Sequence, residues 1–412
     1  MAAMKKNNHV SFTTLSQTAD FAVEKTLLTE NLNFLKSLSV REYTLYKKWD
    51  ELRHYCPPQP ELVQKAKDLI WRHVPNPDAN ASQGEKDWTI MKQVDAIRPK
   101  VLVVGTSKAD TANFRRWDTY QHFISSGENN GVRGRIIKFL IVDDADERKR
   151  VLGIAAVASD VNAIGCRDKY VGWTKAHKAT GKLNHIAIAS TVVPTQPFGR
   201  NFLGGKLIAA LMTTRVVRDA WQSRYGDVLT GMTTTSLFGS PCMYDGIPRW
   251  RKLGHSNGSL PIVPNMELYH YWRRWVAVHR AAEFEQTVKT ELGNAGAATS
   301  EKFRALDLIF KTVGLSLNNF KHGFRRGVYF SSFYKNTREF LCGQIPESQL
   351  VLKPSIQGDV EGILNWWRTR AIQRYLNVRR RNQLTEDVQW YGDMNLMDYK
   401  TAKAKYLPSI GA

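Results

Sequence analysis

The sequence predicts a mixed α/β fold in the α+β sense: a mostly antiparallel sheet flanked by helices, with a helical extension before it and a basic, aromatic region after it. Three observations carry this. Strand-like runs of Val, Ile and Leu recur at residues 101–104, 136–142 and 151–159. The second and third are separated only by the charged turn from Asp143 to Arg148, so they read as an antiparallel hairpin. A further strand, 185–193, passes through a glycine-containing turn into a helix, 203–224, and then into a strand, 228–237.

The remaining elements follow in order. Residues 1–35 are polar without a clear period and read as a loosely held arm. Residues 40–74 have a helical pattern broken at Cys56, Pro57 and Pro58, because proline has no N–H and clashes with the preceding turn. Residues 75–84 form a loop rich in Pro, Asn, Asp and Gly. After Pro264 the aromatic residues Tyr269, Tyr271, Trp272 and Trp275 interleave with Arg273 and Arg274. Small residues over 294–300 suggest a linker, and a strand-like run (327–334) and a long helix (about 359–380) complete the pattern. The expected organisation is a mostly helical extension over 1–95, a core over 96–260, and a basic aromatic region over 261–412 that completes the fold or binds nucleic acid.

Composition narrows the function. A chain of 412 residues with 42% hydrophobic and 11% aromatic residues is globular rather than disordered. No apolar run approaches the roughly 20 residues that span a bilayer, and no apolar segment follows Lys5 and Lys6, so a cytoplasmic location in a bacterial or phage-infected cell is expected. Cys56, Cys166, Cys242 and Cys342 are scattered and the histidines show no metal-ligand spacing, so no metal is expected. The loudest signal is charge: 59 Lys and Arg against 38 Asp and Glu, a net +21. Such a field concentrates polyanions, and counterion release favours binding to a phosphate backbone. Nucleic acid, most of all DNA, is the expected partner.

The segment from His185 to Leu211 carries the clearest chemistry. Its glycines let backbone approach an anion closely, and the unpaired N–H groups of a helix start point at it. Arg200 and Lys206 add positive charge at the mouth of that turn. A Walker A loop is excluded, since Gly205 holds the lysine slot and Leu207 follows Lys206 where Ser or Thr is needed.

This strand, turn and helix resemble the main motif of the GNAT acyltransferase superfamily, in which Q/R-x-x-G-x-G/A opens the helix. The resemblance implies an acetyl-CoA or other acyl-CoA cofactor. Its pantetheine would lie along Val192 and Val193, and its pyrophosphate at Gly199, Arg200, Asn201, Leu203, Gly204, Gly205 and Lys206. Asn201 stands where Gln or Arg is usual, and Lys206 where a small residue is usual. The run from Pro248 to Gly254 resembles the superfamily's later aromatic-x-K-L-G segment, with Gly254 as a helix C-cap. Trp250 replaces the tyrosine that often protonates the leaving thiolate, which makes Tyr244 the substitute acid.

A narrower resemblance rests on Arg167, Asp168, Gly172 and Trp173, on Leu183 and Asn184, on Val193 and Pro194, and on Asp219, Trp221, Arg224, Tyr225 and Gly226. Together these are similar to the DruA-like family, named for a component of the Druantia anti-phage system, with relatives in phages. Ala220 is inserted between Asp219 and Trp221. Phage Mom proteins, GNAT-like modifiers of adenine in DNA, are the analogue. On that reading Asp168 orients or deprotonates an exocyclic amine, Trp173 stacks on a base beside Arg167, and Ser190 faces the acceptor pocket. Arg167 and Asp168 read equally well as a structural ion pair.

In the C-terminal region, residues 321–381 hold twelve Lys or Arg against four Asp or Glu. On a helix Arg370, Arg374 and Arg381 fall on one stripe, apart from the apolar face of Val360, Ile363, Leu364, Trp367, Ala371 and Tyr375. Arg325 and Arg326, near Tyr329 and Tyr334, form a second basic and aromatic cluster. Two functions are therefore carried forward: group transfer to a DNA base, and a non-catalytic DNA-binding component of a defence or counter-defence system.

Overall fold

The structure is a computed structural model that describes residues 21–105, 110–128, 134–239, 242–256, 260–289, 301–323, 325–357 and 359–410. Its helices begin with α1 (Phe21–Ser37), α2 (Val40–Arg53), α3 (Pro60–Asp68), α4 (Gln83–Ala96) and α5 (Thr111–Phe123). In the middle lie α6 (Gly165–Val171), α7 (Lys175–Ala179), α8 (Phe198–Phe202), α9 (Gly204–Leu211) and α10 (Arg215–Tyr225). Then come α11 (Met266–His279), α12 (Ala281–Phe284), α13 (Glu301–Thr312), α14 (Thr337–Leu341), α15 (Pro354–Gln357), α16 (Asp359–Arg380) and α17 (Tyr399–Tyr406). The strands are β1 (Pro99–Val104), β2 (Ile136–Asp143), β3 (Val151–Ser159), β4 (Ile186–Pro194), β5 (Gly231–Thr235), β6 (Arg251–His255), β7 (Leu260–Pro261), β8 (Lys321–His322) and β9 (Gly327–Ser332).

The chain divides into two compact units, at different boundaries from those expected. The described residues of the smaller unit are 21–39, 260–289 and 301–322; those of the larger fall within 40–256 and 323–410. The helical segment 40–95 therefore belongs with the sheet. The stretch after residue 260 is split, its first part entering the smaller unit and its last part returning to the sheet. The reason is pairing: β9 inserts between β5 and β6, so the sheet is incomplete without the C-terminal segment.

In the smaller unit, α1 replaces the expected arm. Leu28, Leu32 and Leu35 recur on one face of the helix and are fully buried. Phe21 meets Trp272 edge to face at 5.5 Å, and Trp272 is itself fully buried. Asn265 caps α11 by accepting from the Leu268 N–H at 2.9 Å.

The larger unit holds a seven-stranded sheet in the order β1-β2-β3-β4-β5-β9-β6. The β2–β3 pair is antiparallel, as the charged turn implied. Both strands are buried on both faces over most of their length, because helices cover each side. On one side Trp117 of α5 donates its indole N–H to the Ala155 carbonyl at 3.1 Å. On the other side α9, α16 and α4 share the main apolar core with Ile137, Phe139 and Ile141.

Among the described strands of the sheet, β4 and β5 alone pair in parallel, which requires a crossover, and α8 to α10 supply it. The expected single helix over 203–224 is two helices, α9 and α10, with the short α8 before them. Leu203 adopts a left-handed conformation (φ 54°) between α8 and α9, and Thr213 and Thr214 separate α9 from α10. A second correction concerns Gly254. It caps no helix; it lies in β6 at φ 133°, where the register against β9 shifts.

Candidate functional site

The turn expected to hold a cofactor is closely packed. A Cβ on Gly204 would stand 2.3 Å from Cδ1 of Phe198, and one on Gly199 would stand 2.7 Å from Cγ of Pro194. One on Gly205 would meet the Met243 sulfur at 3.0 Å. These glycines make room for the chain's own side chains. Because Phe198 is fully buried and cannot retreat, Gly204→Ala is expected to cost about 1–3 kcal/mol by overpacking. Chemical denaturation with circular dichroism checks this.

The C-terminal segment covers the same turn. The amide of Asn201 pairs in both directions with the Thr385 backbone, at 2.7 and 3.1 Å. Trp367 of α16 donates its indole N–H to the Phe202 carbonyl at 2.9 Å, and Arg374 Nε donates to the Arg200 carbonyl at 3.1 Å. The apolar stripe of α16 is the buried one: Ile363, Leu364, Trp367, Ala371 and Tyr375 are all interior. Packing that stripe on α8 and α9 leaves the arginine stripe at the edge of the junction.

Two sets of cations that are far apart in sequence therefore meet. Burial, together with the neighbouring charges of Arg200 and Arg381, lowers the affinity of Arg374 for its proton. Lys206 is held below the ordinary lysine range by burial, and Arg370 adds to this against the opposing pull of Asp245. Lys206 Nζ also donates to the Met243 and Asp245 carbonyl oxygens. Arg370 lies 5.0 Å from the Trp366 ring. Among the described residues, none of Arg200, Lys206, Arg370, Arg374 and Arg381 has a carboxylate within ion-pair distance. Two neighbours on the same helix differ: Arg379 pairs with Asp87 at 2.9 Å and Arg368 with Glu361 at 3.2 Å. Cations that make no ion pair among the described residues are suited to phosphate groups.

The remaining expected residues are placed differently. Arg167 is fully buried, so it cannot reach a base. Its Nη1 lies 3.0 Å from Asp160 and donates to the Val161 carbonyl, while Nε and Nη2 both donate to Asp168. Asp168 is further bound by Lys178 at 2.9 Å, so its oxygens are committed to cations and it is no free base. Trp173 is buried, and its indole N–H donates to the Leu341 carbonyl at 2.8 Å, which corrects the stacking role. The structural ion pair is the alternative that the geometry supports, enlarged by Asp160, Lys178 and Thr233. The sequence signal for Asp160 is an acid directly after a strand that is apolar up to its final Ser159.

Tyr244 is buried, which pushes its phenol well above the usual tyrosine range and removes it as an accessible acid. Trp250 donates to the Ala209 carbonyl at 2.8 Å. Ser190 is exposed at the register shift between β3 and β4, with Oγ donating to the Ala156 carbonyl at 3.3 Å. Val192 is buried and Val193 half-buried, both paired with β3. Arg325 is exposed and Arg326 half-buried on the turn before β9, beside Ser256 at the end of β6 rather than with the α16 arginines.

The other motif residues also work as structure. The Tyr225 phenol bonds both the N–H and the carbonyl of Ile136 at the start of β2, at 2.8 and 2.9 Å. Gly226 closes α10 in the left-handed conformation, as Gly172 closes α6. Tyr225→Phe leaves a strand-end N–H without its partner and is expected to cost about 1–3 kcal/mol, read from the shift in thermal midpoint.

Fold and site together define a mixed α/β protein with a mostly antiparallel sheet and a cationic helix junction at the edge of the parallel β4–β5 pair. The chain belongs to the DruA family, described as Druantia protein DruA, whose profile matches residues 50–343. It is 26% identical over 229 residues to a Druantia protein DruA of Escherichia coli (strain UMEA 4076-1). That match covers 50% of this chain and 53% of the relative, so the chain spans about half the length of the relative it matches. No solved structure matches it. Arg200 and Lys206 lie inside the family match, whereas α16 lies beyond it.

Proposed function

We propose that this protein is a nucleic-acid-binding component of an anti-phage system, holding the phosphate backbone of DNA on the face where α16 meets α8 and α9. The observation that carries this reading is the convergence of Arg200, Lys206, Arg370, Arg374 and Arg381 without a carboxylate partner among the described residues. The net charge of +21 supplies the long-range attraction. Contacts of this kind set position rather than sequence. Fluorescence anisotropy with a labelled duplex, titrated with salt, tests it. Binding that weakens steeply with salt is expected; no binding, or binding insensitive to salt, overturns it.

A second reading, group transfer to a base from acetyl-CoA, is favoured by one feature of the sheet. Strand β4 pairs with β5 only from Ile186 to Ile188, and beyond that its strand partner is β3 as it runs toward Arg200 and Lys206. Calorimetry with acetyl-CoA on the whole protein decides between the two. Uptake that is lost in an Arg200→Ala, Lys206→Ala double variant supports transfer, and absence of uptake removes it.

A further inference from the structure

The sheet ends on an edge strand that neither of those readings uses. Strand β6 is last in the strand order, with β9 on its one paired side. An edge strand offers unpaired backbone groups to other chains, and charged side chains guard against such pairing. Strand β6 carries Arg251, Lys252 and His255, all exposed. The pleat sends the first two to opposite faces. Lys252 lies opposite Tyr329 and 3.7 Å from Asp245, while Arg251 lies opposite Phe330.

On the Phe330 face, two arginines from separate elements meet one ring. Tyr170 of α6 packs against Phe330 with ring centroids 5.5 Å apart. The Arg251 guanidinium lies 5.1 Å from the centre of the Tyr170 ring, and the Arg338 guanidinium of α14 lies 5.2 Å from it. Both arginines are exposed and Tyr170 is half-buried. A guanidinium over a ring uses its flat face and keeps its in-plane N–H donors. Among the described residues neither guanidinium has an ion pair or a hydrogen bond, so the ring holds two cations while their donors stay available. Similar contacts in the same unit are neutralised: Arg135 beside Tyr225 pairs with Asp227, and Arg218 beside Tyr334 pairs with Asp219. Glu339, directly after Arg338, is exposed and bridges neither guanidinium. Arg326 adds charge at the same edge, where its carbonyl accepts from the Ser256 N–H at 2.8 Å.

We propose that this edge binds a single-stranded segment of nucleic acid, with Arg251 and Arg338 on its phosphates and an unpaired base stacked on the layer they form with Tyr170. Charge complementarity selects the occupant, since two cations with available donors face outward beside an aromatic ring. Flat guanidinium and tyrosine faces are used by bases that are free to leave a duplex stack. The surface is separate from the α16 junction. Tyr170, Arg251 and Arg338 all lie within the family match over residues 50–343, and α16 lies beyond it.

The test uses the whole protein and two labelled probes of equal length, an oligothymidine strand and a duplex, in anisotropy titrations across a salt series. Arg251→Gln combined with Arg338→Gln is expected to weaken the single strand about tenfold or more and to change duplex affinity less than about twofold. The single-strand salt slope should fall by about 1.4, at roughly 0.7 for each phosphate. Tyr170→Leu should weaken the strand about fivefold or more, and Tyr170→Phe should bind as the wild type does. Replacing the two exposed arginines strands no carboxylate, so the double variant should keep the wild-type far-ultraviolet spectrum. Unchanged single-strand affinity in the double variant overturns the proposal. Equal losses for strand and duplex overturn the single-strand assignment. Displacement of the bound strand by polyglutamate as readily as by unlabelled strand overturns it in favour of an acidic peptide. The double change is then repeated in a variant with Arg370, Arg374 and Arg381 replaced by Gln. The same loss in that background supports a separate surface even if the α16 junction binds nothing, and no loss there overturns it.

Discussion

Arg167→Ala is expected to lower the free energy of unfolding by about 3–5 kcal/mol, enough to threaten the fold. Arg167 and Asp160 are both fully buried, and the arginine contacts Asp160, Asp168 and the carbonyls of Val161 and Asn162. Removing the guanidinium leaves the Asp160 carboxylate interior with only the Thr233 hydroxyl at 2.8 Å and the Val161 N–H at 2.7 Å. Burial already pushes the Asp160 carboxyl upward, and Arg167 is the main force opposing this. Without Arg167 that carboxyl holds its proton more tightly in the folded protein than in the unfolded one. Stability is then retained at low pH and lost as pH rises through the raised folded value. The deficit of the variant should therefore shrink when the pH is lowered from about 8 to about 5. Urea denaturation at both values measures this. An equal deficit at the two values would contradict an uncompensated Asp160. Pairing the change with Asp160→Asn should recover part of the loss, since the double variant buries no lone charge.

The second large effect concerns binding. Replacing Arg370, Arg374 and Arg381 together by Gln should reduce the slope of log affinity against log salt by about 2–3, at roughly 0.7–0.9 for each phosphate no longer neutralised. Affinity near physiological salt should fall at least about tenfold. The helix should survive, because glutamine has a helix propensity close to that of arginine. Among the described residues no ion pair involves these three side chains, so the change strands no carboxylate. The buried stripe of Ile363, Leu364, Trp367, Ala371 and Tyr375 is untouched. Anisotropy across a salt series reads the slope. A slope equal to that of the wild type would remove these arginines from the interface, and the cationic junction with them.

The contrast between the two predictions shows how much of the site was legible. The stripe of Arg370, Arg374 and Arg381 could be read directly, because helical period alone separates it from the apolar stripe that α16 buries. Arg200 and Lys206 were legible as charges at a helix start, yet they were assigned to a separate site. Nothing local shows that a helix some 170 residues later packs on α8 and brings Arg374 to the Arg200 carbonyl. Arg251 and Arg338 gave no signal at all, because one lies on a short strand and the other on a short helix, and only folding brings both to Tyr170. The family motif was recognisable, and of the two readings of Arg167 the structural one fits; Trp173 and Tyr225 likewise hold elements together by bonds to backbone. A signature can mark what the fold needs as readily as what a ligand needs.

By itself the sequence determined the β2–β3 hairpin, the strand-turn-helix around residue 200, the two faces of α16 and the cationic character of the whole. Each of these rests on short-range periodicity, turn chemistry or simple charge. The tertiary structure alone decided that β9 enters between β5 and β6, that the chain after residue 260 divides between two units, and that the glycine turn is filled by Phe198, Pro194 and Met243. It also decided that two distant groups of cations form one face. The physical reason is that local pattern reports which side of an element is apolar. Which other element covers that side depends on packing between residues far apart in the chain, and that is where this site is made.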